Sequence, residues 1–594
     1  MASASSAGGP LASSSGATSY TTPTKRAAFA PSAEAGPSRA RPTGASPAYS
    51  SRRHSLYGIE DRIVIDPGSR VWKVGFSGET DPRAVFFSLD EDDPTSATEA
   101  WNLDLERLEG VRGSRSEGDR LVGVRVVKKL RDTFSKHLMT DPKSRKVIVV
   151  ENTFLPTYVK EHLARTLFDN LKVPSVSFTS SSFLALAACG RITGLVVDIG
   201  WLETSVTPVY HSRPLYSLSR STPAAGRRLH KRVRSLLLHY GAYIPPPTSL
   251  GNIHSNQRTK GVPLALLTDR LVERILTEGC LVGGVFIGSE GVAQMDVDMT
   301  AQDVKEGLDL EDETVIRDFK SRFEGSSSAT DMIFKVSPTS KNEPRDMGCG
   351  TVIVPGWVRE RAAEVLFEDD EEEEDKSIPR TILDCLLKLP IDLRPTLVSS
   401  MLITGGTPSL PGLVPRLRIS LLQHLLPPPT DLSTLAPASP LDSPASRIAE
   451  MKQWRKRKDE PYRDMYGLAR KLAILNDPAP LDGPEASTGG KAPRWVPSLM
   501  SWVGGSLAGS LKTSSPELLR ETYDTLMATS ISRGEAYRHE LEASEVEIAA
   551  TVGVSVDELR TGEALHDGRK LSRKRGWREG GPSVLGDWTR IVKA

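Results

Sequence analysis

The chain has 594 residues, with 76 Lys and Arg against 75 Asp and Glu and a net charge of +1. That balance gives no overall pull toward nucleic acid or anionic membranes, and no uninterrupted apolar run is long enough to span a bilayer. The cysteines at 189, 280, 349 and 385 form no C-x-x-C pair, so no zinc site or disulfide framework is expected, and a reducing intracellular compartment fits best.

Residues 1–55 are rich in Ser, Ala, Gly and Pro. They are expected to be a disordered low-complexity tail, because so little apolar burial cannot offset the entropy of ordering. They also lack the apolar core of a secretory signal. Order is expected from "RIVIDPGSRVWKVGFSG" (62–78): Ile63 and Ile65 set an apolar pattern, "DPGS" turns, and Val71, Val74 and Phe76 resume it. Residues 88–119 lose periodicity. Helical spacing returns in "VRVVKKLRDTFSKHL" (124–138), "RKVIVVENTF" (145–154) reads as a buried strand, and "YVKEHLARTLFDNL" (158–171) as an amphipathic helix striped by Val159, Leu163 and Leu167. "FTSSSFLALAACG" (178–190) reads as a small-residue helix closing on Gly190. "VVDIGWLETSVTPV" (196–209) then reads as strand, tight turn and strand, with Asp198 ending the first arm and Gly200 in the turn.

Helices are predicted over 227–241 and 266–279, and the hydrophilic stretch 283–348 reads as an insertion. Strand, turn and helix follow at 350–367. The acid block "EDDEEEED" (368–375) reads as a solvated loop. Residues 399–425 give strand, Gly-Gly turn and helix, 427–446 a Pro-rich linker, and 501–513 a last apolar segment. The basic "RKRK" at 455–458 is either a solvated linker or a nuclear signal. Strands and helices alternate in two separate blocks, which argues an α/β protein with more than one sheet.

The informative feature is duplication. "IVIDPGSRVWKVGF" and "LVVDIGWLETSVTPV" share one plan: apolar strand, Asp, one residue, Gly, second strand. Asp66 and Asp198 lie about one domain length apart. Two such hairpins facing across a cleft can clamp a phosphate chain, turn amides holding the anion and the Asp reaching a cation. A third Gly-rich turn, "TGGT" (404–407), can lie beneath a purine, since Gly lets backbone approach a ring. A lone D-x-G hairpin is usually only a turn; the three in this order are specific.

Together they resemble the actin family. "RIVIDPGSRVWKVGFSGETDPRAVF" is similar to its opening, "GRITGLVVDIG" to its second phosphate hairpin, "AAGRRL" (224–229) to the segment after it, "SSMLITGGTPSLPGLVPRL" to its adenosine loop, and "SWVGGSLAGSL" with "ETYD" (521–524) to its closing helices. The resemblance covers roughly residues 60–526 and implies the actin-like two-lobed α/β fold of the actin and hexokinase type. That fold has four subdomains and a duplicated β-sheet core around a nucleotide cleft. The expected division is a tail (1–55), a first lobe (56–195) with a reduced small subdomain at about 88–119, and a second lobe (196–497) with insertions at about 283–348 and 427–460. A return to the first lobe (498–526) and a C-terminal insertion and tail (527–594) complete it.

The resemblance implies nucleotide-binding roles, vestigial or weak, for Asp66, Gly68, Ser69, Lys73, Asp198, Gly200, Gly405, Gly406 and Thr407. Several positions depart from the pattern. Arg70 replaces a Gly, where it can either hold a phosphate or fill its space. Trp201-Leu202 replaces the Asp-Gly of the second turn, removing a metal-linked carboxylate. Ser181 falls where the family's water-positioning Gln stands, and Leu276 and Thr277 fall near its purine-pocket Lys and Glu. Placement and electrostatics carry most of phosphoryl-transfer catalysis. The expectation is therefore no enzyme activity, no catalytic residue and no metal site, with ATP or ADP bound, if at all, without hydrolysis.

Filament contacts follow from the same resemblance. Residues 88–119 are shorter than the family's docking lobe and lack its loop sequence. Gly190, Leu507, Leu511 and Thr513 keep a plausible apolar groove on the opposite face, though leucines so spaced also suit core packing. One intact and one degraded face make a cap. The profile is similar to the actin-related protein ten class, the pointed-end subunit of dynactin. Its implied partners are actin-like filament subunits and other pointed-end subunits, with no nucleic acid, no membrane insertion and no self-polymerisation, in the cytoplasm. The alternatives are a nuclear actin-related scaffold of a chromatin-remodelling complex and an actin-fold ATPase or kinase.

Overall fold

The computed structural model describes residues 62–89, 101, 114–245, 259–285, 310–336, 350–369, 376–427, 461–480, 488–513 and 516–529. By internal contacts the chain divides into Met1–Ile59 and Glu60–Ala594, and every described residue belongs to the second unit. The expected N-terminal tail, most of 88–119, the acid block beyond Asp369, the linker from 428, the basic run 455–458 and the chain beyond 529 lie outside the described residues.

The first lobe is built on β1 (Ile63–Pro67), β2 (Val71–Phe76), β3 (Ala84–Phe87), β4 (Val147–Glu151) and β5 (Ser175–Ser180). β1 pairs antiparallel with β2 and parallel with β4, which pairs parallel with β5. The second lobe repeats the plan: β6 (Gly194–Ile199) pairs antiparallel with β7 (Thr204–Tyr210) and parallel with β14 (Met401–Thr404). The short strands β8 (Arg213–Pro214) and β9 (Arg220–Thr222) extend that sheet beyond β7. A four-stranded sheet adds β10 (Ala242–Ile244), β11 (Thr259–Lys260), β12 (Met332–Val336) and β13 (Gly350–Val354) in the order β11-β10-β13-β12. The two-residue strand β15 (Leu518–Leu519) returns to pair with β5.

The period-two alternation of each central strand divides its side chains between two cores. Ile63 and Ile65 face the outer helices α1 (Ser114–Asp132) and α2 (Thr157–Arg165), whereas Val64 faces α3 (Ser181–Ala188) and α11 (Met500–Leu511). Leu195, Val197 and Ile199 of β6 face the other way, joining a cluster with α4 (Gly226–Tyr240), α5 (Asp269–Gly279), α6 (Glu313–Phe323) and α7 (Gly356–Arg361). Helices α8 (Ile378–Lys388), α9 (Arg394–Val398) and α10 (Leu413–Leu425) complete that cluster. Val196 faces Ala185, Leu186 and Met500 of the same α3–α11 layer. The two sheets therefore share one helical layer and are covered on both faces, which is why their central strands read as near-continuous apolar runs.

Three expectations are corrected. The small-residue helix predicted over 178–190 begins at Ser181, because Ser175–Ser180 is a strand. Its β-branched and aromatic residues Val176, Phe178 and Thr179 fit a pleated, buried surface. The helix does close as predicted: Gly190 N–H donates to Ala187 O and Arg191 N–H to Leu186 O, both at 2.9 Å, the paired bonds of a Schellman motif. The hydrophilic stretch 283–348 is not simply an insertion, since α6 buries Ile316, Phe319 and Phe323 and β12 pairs with β13. Helix α1 starts inside the stretch expected to lack periodicity. In addition, residues 520–529 are helical and Leu526 and Met527 pack on the first-lobe core, so that lobe extends past the expected boundary at 526.

Close approach of α11 to α3 depends on Gly504, where a Cβ would lie 1.9 Å from Leu184 O. Gly504→Ala must displace backbone, and overpacking of this kind costs about 2 kcal/mol or more. Gly467→Ala, at a position with nothing within 4 Å, is the control. Urea unfolding is expected to show a large loss for the first variant and almost none for the second.

Candidate functional site

The repeated hairpins place their turns opposite one another, and a cleft of about 410 Å³ lies between them. Asp66, Gly68, Ser69, Lys73, Asp198, Gly200, Gly405, Gly406 and Thr407 all line it. The sequence therefore names one site for these residues. Leu276 and Thr277 line it as well, while Ser181 is buried at the start of α3 and is not among the lining residues.

The Gly-Gly turn has a structural task. Gly405 adopts φ +104°, and a Cβ there would lie 2.2 Å from Ile199 O and 2.7 Å from Asp198 Oδ1. Glycine is thus required for β14's turn to pass the second hairpin. Gly406 has nothing within 4 Å and faces open space. Thr407 Oγ1 donates to Gly200 O at 3.0 Å, and Gly226 N–H donates to the same oxygen at 3.0 Å.

Lys73 Nζ donates to Asp66 Oδ2 at 2.8 Å, which neutralises one carboxylate of the cleft. Two more remain. Burial, then repulsion from Asp66, pushes Asp198 up to about 6, with Lys73 opposing. Burial, then repulsion from Asp198, pushes Glu203 up to about 7, with a hydrogen bond from Ser221 opposing. Burial thus disfavours the charged forms of both carboxyls, and each holds its proton to a higher pH than a free carboxyl does.

Trp201 and Leu202 do more than displace small residues. Leu202 is buried within the first-lobe core and Trp201 packs against it, so the second-lobe turn is docked into the opposite lobe. Fully burying a Leu side chain contributes about 2 kcal/mol. Arg70, in the first turn, lies with its guanidinium 4.8 Å from the Trp201 ring centroid and 5.1 Å from that of Phe87. Its Nη2 donates to Glu273 Oε2 on α5 at 2.7 Å, the two side chains being 13% and 24% exposed. Stacking contributes about 1 kcal/mol, and a partly exposed pair about the same, so Arg70 and Leu202 contribute comparably to the docking. His230 meets Trp201 edge-on at 5.3 Å. Burial holds its pKa down at about 4, against the opposing effect of Asp269.

These contacts answer the alternative posed by Arg70: it fills the gap between the turns, and its guanidinium is engaged by Glu273 and Trp201. The Gly200 amide already donates to Glu203 O at 3.1 Å. Carboxylates at 66, 198, 203 and 273 also line the cleft. Glu203 and Glu273 were not singled out by sequence. Glu273 lies one helical turn before Leu276 on α5, so the shared face could have identified it.

The model of one family, described as Actin, matches residues 60–444. The chain belongs to the actin family. Among curated proteins it is 22% identical over 396 residues to Actin-related protein 10 of Dictyostelium discoideum, covering 61% of this chain and 74% of that one. It is 24% identical over 414 residues to Actin-related protein 4 of Arabidopsis thaliana, covering 62% and 87%. The two-lobed α/β architecture is thus the actin fold.

On this actin fold the four positions expected to form a groove sit along α3 and α11. Leu507 and Leu511 are 40% and 61% exposed, and Thr513 is exposed. Gly190 adjoins the other end: Cys189 Sγ lies 3.7 Å from Met500 Sδ, roughly 16 Å along the helix axis from Leu511 at 1.5 Å per residue. Gly190 and the leucines therefore mark opposite ends of one helix pair.

A carboxyl with a raised native pKa keeps a proton that the unfolded chain has released. Its contribution to stability is full at low pH and is lost as pH rises toward the native pKa. Asp198 and Glu203 should therefore lower stability between about pH 4 and 7. The buried neutral His230 acts oppositely below its ordinary pKa, so the test is a difference: the gain in unfolding free energy of Asp198→Asn over the parent should grow as pH rises from 4 to 7 and then level off. A gap that is constant with pH would contradict the assignment.

Proposed function

We propose that this protein is a non-catalytic structural actin-related protein that caps the pointed end of the short actin-like filament of dynactin, and so supports dynein-driven transport along microtubules in the cytoplasm. The observation that carries the non-catalytic part is the second hairpin turn, where Trp201 and Leu202 are docked into the opposite lobe. Ser181, at the family's Gln position, is buried and adds no water-orienting group. The sites at Asp66, Gly68, Ser69, Lys73, Asp198, Gly200, Gly405, Gly406 and Thr407 are then vestiges of a phosphate-binding plan.

The capping part is supported by asymmetry. Residues 88–119 lack the apolar pattern of a docking lobe, whereas Leu507 and Leu511 present apolar surface on α11. Similarity to Actin-related protein 10 favours this branch. The second reading is a nuclear actin-related scaffold of a chromatin-remodelling complex. It is favoured by the basic run 455–458, and the comparable identity to Actin-related protein 4 leaves that branch open.

Affinity purification with quantitative mass spectrometry separates the readings. Dynein and dynactin subunits should co-purify; recovery of chromatin-remodelling subunits instead would overturn the leading one. Leu511→Asp should weaken filament-end binding a hundredfold or more, because burying an unpaired carboxylate costs about 3 kcal/mol. Altering Asp90, Glu91 and Asp92 should leave binding intact. The reverse pattern in folded variants would invert the proposed orientation. No ATP turnover above background is expected, and turnover abolished by Asp198→Ala would contradict the non-catalytic reading.

A further inference from the structure

We propose that Arg70 is a built-in clamp that holds the two lobes closed with no ligand in the cleft. The inference rests on the reading of the cleft as non-catalytic and adds to it how the closed state is kept. Two lobes joined through a helical layer have the angle between them fixed by contacts across their cleft. A bound ligand touching both hairpin turns is one solution. In this protein the chain itself makes that connection.

Arg70 belongs to the first-lobe turn, yet its partners lie on both sides. Phe87, on β3, supports one side of the guanidinium from its own lobe. Trp201, in the second hairpin turn, lies near it from across the cleft. Arg70 Nη2 donates to Glu273 on α5, a helix anchored in the second-lobe core by Leu271, Val272 and Ile275. The contacts with Trp201 and Glu273 cross the cleft. The planar guanidinium suits the position, because it can stack on an aromatic ring and donate in its own plane at once.

The second turn is also fixed from behind. Gly226 N–H and Arg227 N–H, at the start of α4, donate to Gly200 O and Trp201 O at 3.0 and 2.8 Å. Trp201 is therefore a rigid platform for Arg70. The consequence is an inter-lobe geometry independent of nucleotide, so the surface offered to partners does not change with the ligand state of the cleft.

Hydrogen exchange on the full chain tests this through peptides covering 66–73, 198–205 and 269–276. Arg70→Glu places like charges at 70 and 273 and should speed exchange in all three by tenfold or more. Combining it with Glu273→Arg should restore at least half of the lost protection. Glu273→Gln, a milder change, should give a smaller effect in the same peptides and keeps the test available if Arg70→Glu does not fold. Millimolar Mg·ATP should leave the exchange of the unaltered protein unchanged. Unaltered exchange in both single variants, no recovery in the double variant, or protection of the parent by Mg·ATP would each overturn the clamp. ATP turnover is a separate readout: turnover with the clamp intact would sink the non-catalytic reading alone.

Discussion

At Gly504 an added Cβ would sit 1.9 Å from the Leu184 carbonyl oxygen, and this contact between α11 and α3 governs the rest of the molecule. The helices approach closely because Gly504 carries no side chain where it meets the Leu184 backbone. Thin packing lets one helical layer serve two sheets, with Val64 and Val150 on one side and Val196 and Leu402 on the other. Sheets held back to back in this way bring equivalent turns to the same side. The cleft is a consequence of that arrangement, and its chemistry depends on which residues occupy the two turns.

Those residues favour a structural role over catalysis. A working phosphate site needs free amides, small turn residues and positive charge to receive an anion. Here Gly200's amide is hydrogen-bonded internally, Trp201 and Leu202 fill the turn, and burial, then repulsion between carboxylates, raises the pKa values of Asp198 and Glu203. The same departures from the family pattern add contacts between the lobes.

Much of this was legible in the sequence, for reasons that can be named. The duplicated strand–Asp–Gly plan located both turns, because hairpin register is encoded locally, and every residue assigned to the nucleotide plan lines one cleft. Local pattern failed where burial overrides polarity. Residues 175–180 are Ser- and Thr-rich yet form a buried strand, because neighbouring strands satisfy their backbone. Residues 310–336 look hydrophilic, but Ile316, Phe319, Phe323 and Phe334 at the right spacing place them in the core. The partners of Arg70 were not legible. Glu273 is 203 residues away, and no local signal states which distant carboxylate a cleft arginine will meet. The opposite ends of α3–α11 occupied by Gly190 and Leu511 likewise follow from the antiparallel packing of two helices distant in sequence.

On the reading proposed above, the actin-family cleft of this protein is kept closed by its own side chains and needs no nucleotide. The most direct measurement is the nucleotide content of the purified full chain, released by denaturation and quantified by chromatography. The account predicts far less than one nucleotide per chain. Retention of one ATP or ADP per chain through purification would contradict it.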